Sequence, residues 1–237
     1  MSITPEEYSS ALAAACGGNL AAAVLYGSSA AGDAIPGRSG HNMALLLKRT
    51  GPAELAALAA ASRVWLKAGN PAPMIFTPEQ FAGSADSFPI ELADMKEFHR
   101  VLYGEDPLAS VAIDPADLRL AVEREIKSKL LLLRKTCVAV GGDRRAIEDL
   151  MTGSLSQFLV LCRAALRLKE AKVPSSKLEC AEKLAAHAGF DPAAFREVHA
   201  LKAGGPRPSA EASAALFARY LAAVEAFAAA VDAWDGK

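Results

Sequence analysis

A glycine–serine turn between two apolar segments is the part of the sequence whose residue types indicate chemistry. The apolar segment 21–26 ends in Gly27-Ser28-Ser29, and a second glycine, Gly32, follows closely. Glycine lets the backbone approach an anion, and Ser28 or Ser29 is expected to cap a short helix whose free N–H groups and positive end would face a triphosphate. The spacing therefore predicts a phosphate-binding turn formed by Gly27, Ser28 and Ser29.

A second apolar segment, 43–47, follows after a polar loop. Two such segments separated by a turn and a short helix are expected to lie side by side in one sheet. The connecting loop contains Arg38, whose guanidinium group would contact a phosphate bound at the turn. The alternative is a solvated arginine in a loop rich in proline and glycine, and the sequence leaves both open.

The turn and its glycine spacing resemble the signature of the nucleotidyltransferase superfamily, which includes DNA polymerase beta and the kanamycin nucleotidyltransferases. In that family Gly-Ser is followed by a small helix with a second glycine, and then by Ser-Asp-x-Asp at the start of the next strand. Here Gly27, Ser28, Gly32 and Ser39 match the pattern. The resemblance implies that Ser39 joins the turn residues in binding the phosphates of a nucleotide.

The resemblance fails at the paired aspartates, where this chain has Gly40 and Asn42. Family members use those two carboxylates, with a third on a neighbouring strand, to hold two magnesium ions that position the triphosphate. Glycine offers no ligand and Asn42 offers only a neutral amide oxygen. The sequence therefore predicts a metal site that is weak or absent, with Asn42 as one of its residues.

The third carboxylate is assigned to Glu91, which lies in a short apolar run predicted as a strand, with Asp94 as second choice. The resemblance implies that Glu91 is the possible remaining catalytic acid and metal ligand. The alternative is that Glu91 lies on the solvent side of an edge strand, as the neighbouring Pro89 suggests.

The fold class predicted from the pattern is α+β, with a small mixed sheet followed by an all-helical antiparallel bundle. Strand patterns end before Asp114, and helical periodicity continues from there to the end of the chain. The resemblance implies a nucleotidyltransferase-like domain over 1–110 and a helical bundle domain over 111–237. Strands are predicted at 20–26, 43–48, 74–77 and 88–92, and helices at 4–16, 52–68, 114–140, 143–172, 174–187, 191–202 and 209–234.

The helical half resembles the helical domain of bacterial kanamycin-nucleotidyltransferase-like proteins and the related HEPN domains. HEPN ribonucleases carry an arginine followed, four to six residues later, by a histidine; Arg196 and His199 are only three apart, so this pattern is not met. On the first long helix, the resemblance implies that Lys127 faces the nucleotide cleft and neutralises phosphate charge. The alternative is a solvated helix face on which Glu123 pairs with Lys127.

Composition and charge restrict the class of protein. A net charge of −1 and a sequence pI near 6.4 do not favour a protein whose whole surface binds nucleic acid, and they leave a local basic groove open. The four cysteines are widely spaced, so buried thiols are expected rather than disulfides or zinc. The N-terminus lacks the pattern of a signal peptide, and no apolar run approaches the roughly 20 residues that span a bilayer. A cytoplasmic protein without a membrane segment is expected.

Three functions remain. The missing carboxylates favour a nucleotidyltransferase-like protein with a degenerate metal site, acting as a nucleotide-binding, anion-binding or regulatory module without a defined cofactor. The second is an active nucleotidyltransferase that uses Mg²⁺ and a nucleoside triphosphate to modify a hydroxyl of a small molecule, RNA or protein. The third is a helical interaction protein that binds a protein partner or forms a homodimer through its Ala-rich final helix.

Overall fold

The computed structural model describes residues 3–32 and 40–234, and the chain divides into two compact units, Met1–Asp114 and Pro115–Lys237. The described fold is mixed α+β. All four described strands belong to the N-terminal unit, and the described part of the C-terminal unit contains helices without strands. The sequence had placed the boundary between 110 and 111.

Helix starts in the N-terminal unit follow local capping rules. The Thr4 hydroxyl accepts from the backbone N–H of Glu7, whose carboxylate accepts from the backbone N–H of Thr4 at 2.8 Å. Thr77 and Gln80 repeat this capping box. The elements in chain order are α1 (Pro5–Cys16), β1 (Leu20–Tyr26), α2 (Ser28–Ala31), β2 (Asn42–Leu47), α3 (Pro52–Ala61), α4 (Arg63–Lys67), β3 (Met74–Phe76), α5 (Pro78–Ala82), α6 (Pro89–Glu97) and β4 (His99–Gly104).

The four strands form one mixed sheet in the order β3-β2-β1-β4. Strand β1 pairs antiparallel with β2 and β4, whereas β2 pairs parallel with β3. In this register Tyr26, the last residue of β1, lies opposite Asn42, the first residue of β2. The glycine–serine turn after β1 and the start of β2 therefore lie next to each other at one end of these two central strands.

Both faces of the sheet are buried, which explains why β1 and β2 read as continuous apolar runs. Ala23 and Leu25 belong to a cluster on one face together with Tyr8 and Trp65. Alternate residues of the same strands belong to a second cluster on the other face. The members of that second cluster are Ala22, Val24, Ala44, Leu46, Phe76, Phe81, Leu92, Met95, Leu108 and Val111.

The predicted strands at 20–26, 43–48 and 74–77 are confirmed as β1, β2 and β3, but the strand predicted at 88–92 is wrong. That segment begins α6, because Pro89 stands at the first helical position, where its missing N–H has no helical partner to lose. The fourth strand is instead β4, which the sequence reading missed. It lies at the edge of the sheet, so its residues are partly exposed and its apolar pattern is faint.

The helix predicted over 52–68 is divided into α3 and α4 at Ser62. The Ser62 hydroxyl donates to the carbonyl oxygen of Leu58 at 2.7 Å and lies 2.6 Å from the hydroxyl of Tyr8. A serine that bonds back to its own helix commonly bends it. The break between α3 and α4 therefore coincides with the buried contact between Ser62 and Tyr8.

The C-terminal unit contains five described helices, as predicted. Helices α8 and α11 each contact all four of the others, so they form the centre of the unit. The predicted second helix ends earlier than expected, at Leu166 rather than near 172. The helices are α7 (Pro115–Val140), α8 (Arg144–Leu166), α9 (Lys177–Ala188), α10 (Ala193–Lys202) and α11 (Ala210–Ala233).

Helix α11 corrects the expectation that no segment is long and apolar enough to span a bilayer. It is the one helix of the described chain that passes this test of length and composition, with a mean hydropathy of 1.6. Its residues Tyr220, Val224 and Phe227 are fully buried within the C-terminal unit. A helix that packs in the core of a soluble protein passes the same test of length and composition.

Gly104→Ala is expected to destabilise the N-terminal unit more than Gly69→Ala. Both glycines have a positive φ, 76° and 86°, which costs alanine about 1–2 kcal/mol. A Cβ at Gly104 would also overlap the carbonyl oxygen of Ala21 on β1, whereas a Cβ at Gly69 would meet nothing within 4 Å. Such a clash adds about 1–3 kcal/mol. Urea unfolding followed by tryptophan fluorescence measures both variants, and equal losses would contradict the clash.

Candidate functional site

The turn after β1 requires glycine at its first position. Gly27 has φ 79° and ψ −149°, a conformation that other residues rarely adopt. Its carbonyl oxygen accepts from the N–H groups of Ala30 and Ala31 at 3.1 and 2.9 Å. The N–H groups of Ser28 and Ser29 lie in the first turn of α2, where a helix provides no acceptor for them. Both serines are half-buried, so their polar groups remain accessible.

Asn42 packs directly against this turn. A Cβ placed on Gly27 would lie 3.0 Å from Asn42 Nδ2, so a side chain at position 27 would require the Asn42 amide to shift. The structure therefore brings together four of the predicted site residues: Gly27, Ser28, Ser29 and Asn42. Arg38 and Ser39 lie outside the described residues.

His41 adds a contact that the sequence reading missed. Its Nδ1 lies 2.9 Å from the Ser29 hydroxyl oxygen, and its backbone N–H donates to Asn70 Oδ1 at 3.0 Å. Asn70 Nδ2 in turn donates to the carbonyl oxygen of Trp65 at 3.3 Å. The sequence signal was present, because His41 stands between the two positions that carry aspartates in the resembling family.

Trp65 supports this side of the site from the core. It is fully buried, and its ring stacks on Tyr8 with centroids 4.3 Å apart and an interplanar angle of 14°. Its indole N–H donates to the carbonyl oxygen of Pro71 at 2.8 Å, and its ring lies 6.0 Å from that of His41. One buried tryptophan thus anchors the segment 69–71 beside His41.

The same segment closes the position of the first missing aspartate. A Cβ on Gly40 would lie 2.9 Å from Pro71 Cδ and 3.4 Å from the Cα of Asn70. Real Cβ atoms essentially never approach another heavy atom within 3.0 Å. A carboxylate at position 40 would therefore require the segment 69–71 to move.

The third carboxylate is also not where the sequence reading expected it. Glu91 lies exposed on helix α6, and Asp94 is buried on the same helix. The strand beside β2, opposite β1, is β3, whose residues Met74–Phe76 carry no carboxylate. Within residues 3–32 and 40–234, no group of three or more His, Cys, Asp and Glu side chains is placed to hold a metal ion. Asn42 and Glu91 do not fit a two-magnesium site, which needs several carboxylate ligands.

Lys127 belongs to α7 of the C-terminal unit, where carboxylates already surround it. Its ammonium group lies 2.7 Å from Glu123 and 2.5 Å from Asp232, and these two carboxylates raise the pKa of Lys127. Glu123 also accepts from Arg119 at 2.7 Å. This geometry favours the ion-paired helix face that the sequence had left open as the alternative to phosphate binding.

No protein-family model matches the chain, and no curated protein matches it in sequence. A relation to nucleotidyltransferases therefore stays a prediction from the sequence motif at Gly27.

Tyr26 provides a test of the environment at the end of β1. Burial, followed by the negative charges of Glu91 and Asp94, raises the pKa of Tyr26 to about 12. In the unfolded chain the Tyr26 hydroxyl has an ordinary tyrosine pKa near 10. Because the folded protein holds the proton more tightly, this contribution to the free energy of unfolding is complete below pH 10 and is lost as the pH rises toward 12.

Tyr26→Phe is therefore expected to make unfolding of the N-terminal unit less dependent on pH between 10 and 12. Urea unfolding at several pH values measures this dependence. Tyr103→Phe on the neighbouring strand is a matched control for the loss of a tyrosine hydroxyl. A Tyr26→Phe protein that loses stability as steeply as the wild type would contradict the assignment.

Proposed function

We propose that the N-terminal unit is a nucleotidyltransferase-like domain that binds the phosphates of a nucleotide, or another anion, without a divalent cation. The binding groups are the backbone and hydroxyls of Gly27, Ser28 and Ser29. The observation that carries this proposal is the closed space at Gly40. A Cβ at this position would lie 2.9 Å from Pro71 Cδ, so a carboxylate at position 40 would require the segment 69–71 to shift.

Catalysis of nucleotidyl transfer depends on groups that this site lacks. Phosphoryl-type transfer is driven largely by metal ions and cationic groups that stabilise developing negative charge. Asn42 supplies a neutral amide, and Glu91 lies exposed on helix α6 rather than on the neighbouring strand. Backbone N–H groups in a turn bind phosphate without a metal. We therefore infer a binding or regulatory module, with a cytoplasmic location that gives it access to nucleotides.

Binding that is independent of magnesium is the expected result for the purified protein with ATP. A ligand at 100 times its dissociation constant raises the free energy of unfolding by about 2.7 kcal/mol, which a thermal-shift assay detects. Ser28→Ala should weaken binding about tenfold, since a hydrogen bond to a charged group contributes about 1.5 kcal/mol or more. Ser87→Ala, an exposed serine elsewhere in the same unit, is the matched control.

Calorimetry with and without Mg²⁺ separates this function from the active alternative. Asn42→Asp adds a carboxylate without a new Cβ, and it should increase the effect of Mg²⁺ on ATP binding. Turnover of labelled ATP by the wild type that disappears in Glu91→Ala would establish an active nucleotidyltransferase. Absence of binding to both ATP and inorganic phosphate at millimolar concentration would overturn the proposed function.

A second candidate, association of two copies through the helical unit, has one supporting observation. Helix α7 carries large apolar side chains on its surface, whereas the large apolar side chains of α11, unlike many of its alanines, are mostly buried. Exposed apolar patches commonly mark interaction sites. This moves the proposed homodimer contact from the final helix to α7. The exposed side chains are Leu120, Leu131, Leu132 and Val138.

The wild-type protein is expected to be a dimer, and the variant in which Leu131 and Leu132 are both replaced by glutamate is expected to be a monomer. Buried charges at an apolar contact carry a large desolvation cost, which favours the separate chains. Sedimentation equilibrium measures the change, and Lys135→Glu on the same helix controls for added negative charge. A wild-type protein that stays monomeric at high micromolar concentration would contradict this candidate.

A further inference from the structure

Ser29 and His41 form a hydroxyl–imidazole pair beside the end of β1 and the start of β2. We propose that Ser29 is a nucleophile, that His41 is its general base, and that the pair accepts an acyl group from a neutral, activated ester. The Ser29 hydroxyl oxygen lies 2.9 Å from His41 Nδ1, within the range at which a base removes a hydroxyl proton. This activity goes beyond anion binding and does not require a nucleotide at the turn.

The fold holds the histidine from two directions. Asn70 fixes its backbone by accepting from the His41 N–H at 3.0 Å, and the buried ring of Trp65 lies 6.0 Å from the imidazole. Asn70 is itself held by the carbonyl oxygen of Trp65. A base that is positioned before the substrate arrives loses less conformational freedom in the reaction. Asn70 and Trp65 therefore act as positioning residues.

Accessibility distinguishes this pair from a buried hydrogen bond of the core. Ser29 and His41 are both half-buried, so part of each residue lies at the surface of the described structure. In the tautomer that carries its proton on Nε2, His41 Nδ1 accepts the hydrogen bond from Ser29. That tautomer is the one in which the imidazole removes the proton from the nucleophile.

The chemistry of the surroundings selects a neutral electrophile. Attack on a triphosphate requires cations that offset its charge, and the positions that would hold them carry Gly40 and the neutral Asn42. An ester carbonyl needs only a base and hydrogen-bond donors for one developing oxyanion. Loss of the paired aspartates therefore disfavours nucleotidyl transfer and is compatible with acyl transfer.

In the first half of the reaction, the Ser29 oxygen forms a bond to the carbonyl carbon while its proton moves to His41 Nδ1. The bond between that carbon and the leaving oxygen then breaks, and the leaving alcohol takes the proton from His41. In the second half, water attacks the acyl–Ser29 ester with proton transfer to His41. The carboxylic acid is released, and the proton returns to the Ser29 oxygen.

The test uses the full chain with two probes, an alkyl fluorophosphonate and p-nitrophenyl acetate. The fluorophosphonate is expected to add one equivalent, and peptide mapping by mass spectrometry should locate the adduct on Ser29. Ser29→Ala should abolish this labelling, while Ser87→Ala should keep it. His41→Gln should slow labelling and p-nitrophenol release by about 10²- to 10⁴-fold, the usual contribution of a general base. His187→Gln, a partly exposed histidine of the other unit, is the matched control.

A readout beyond loss of activity separates catalysis from a structural role of His41. Imidazole added to His41→Ala should restore part of the labelling rate, because it supplies the missing base, and the Ser29→Ala/His41→Ala double variant should not respond. An adduct on another residue, equal labelling of Ser29→Ala and wild type, or full reactivity of His41→Gln would each overturn the proposal. ATP or phosphate binding measured on the same samples reports separately on the proposed function.

Discussion

The antiparallel pairing of β1 with β2 is the constraint on which the candidate site depends. Strand β1 lies between β2 and β4, and both of its faces are buried, so its register cannot slip without exposing apolar side chains. Because antiparallel strands run in opposite directions, the end of β1 meets the start of β2. Tyr26 therefore lies opposite Asn42, and the turn at Gly27 is held against the Asn42 amide.

Trp65 gives the N-terminal unit its second constraint. Stacked on Tyr8 in the core, it anchors the segment 69–71, and that segment has two opposite effects on the site. Pro71 lies against Gly40, so a carboxylate at position 40 would require this segment to shift, while Asn70 accepts from the backbone N–H of His41. The packing that crowds position 40 thus also supports the contact between the His41 imidazole and the Ser29 hydroxyl.

Several charged side chains of the C-terminal unit form ion pairs within that unit. Glu148, with a relative exposure of 2%, accepts from the Ser213 hydroxyl at 2.8 Å and lies 3.6 Å from Arg144 and 3.5 Å from Arg207. A buried carboxylate is tolerated only when such partners offset the cost of its desolvation. Lys127 is likewise paired, with Glu123 and Asp232, so both groups have partners of opposite charge within the C-terminal unit.

The sequence by itself determined the helical second half, three of the four strands and the glycine–serine turn, because helical periodicity, apolar runs and glycine spacing are local properties. It misplaced the strand at 88–92 and missed β4, since an edge strand gains its structure from pairing rather than from its own pattern. Only the tertiary structure decided the site. His41 meets Ser29 across 12 residues and Asn70 across 29, and Gly40 is closed by Pro71. Contacts between such distant residues depend on packing, which no local pattern records.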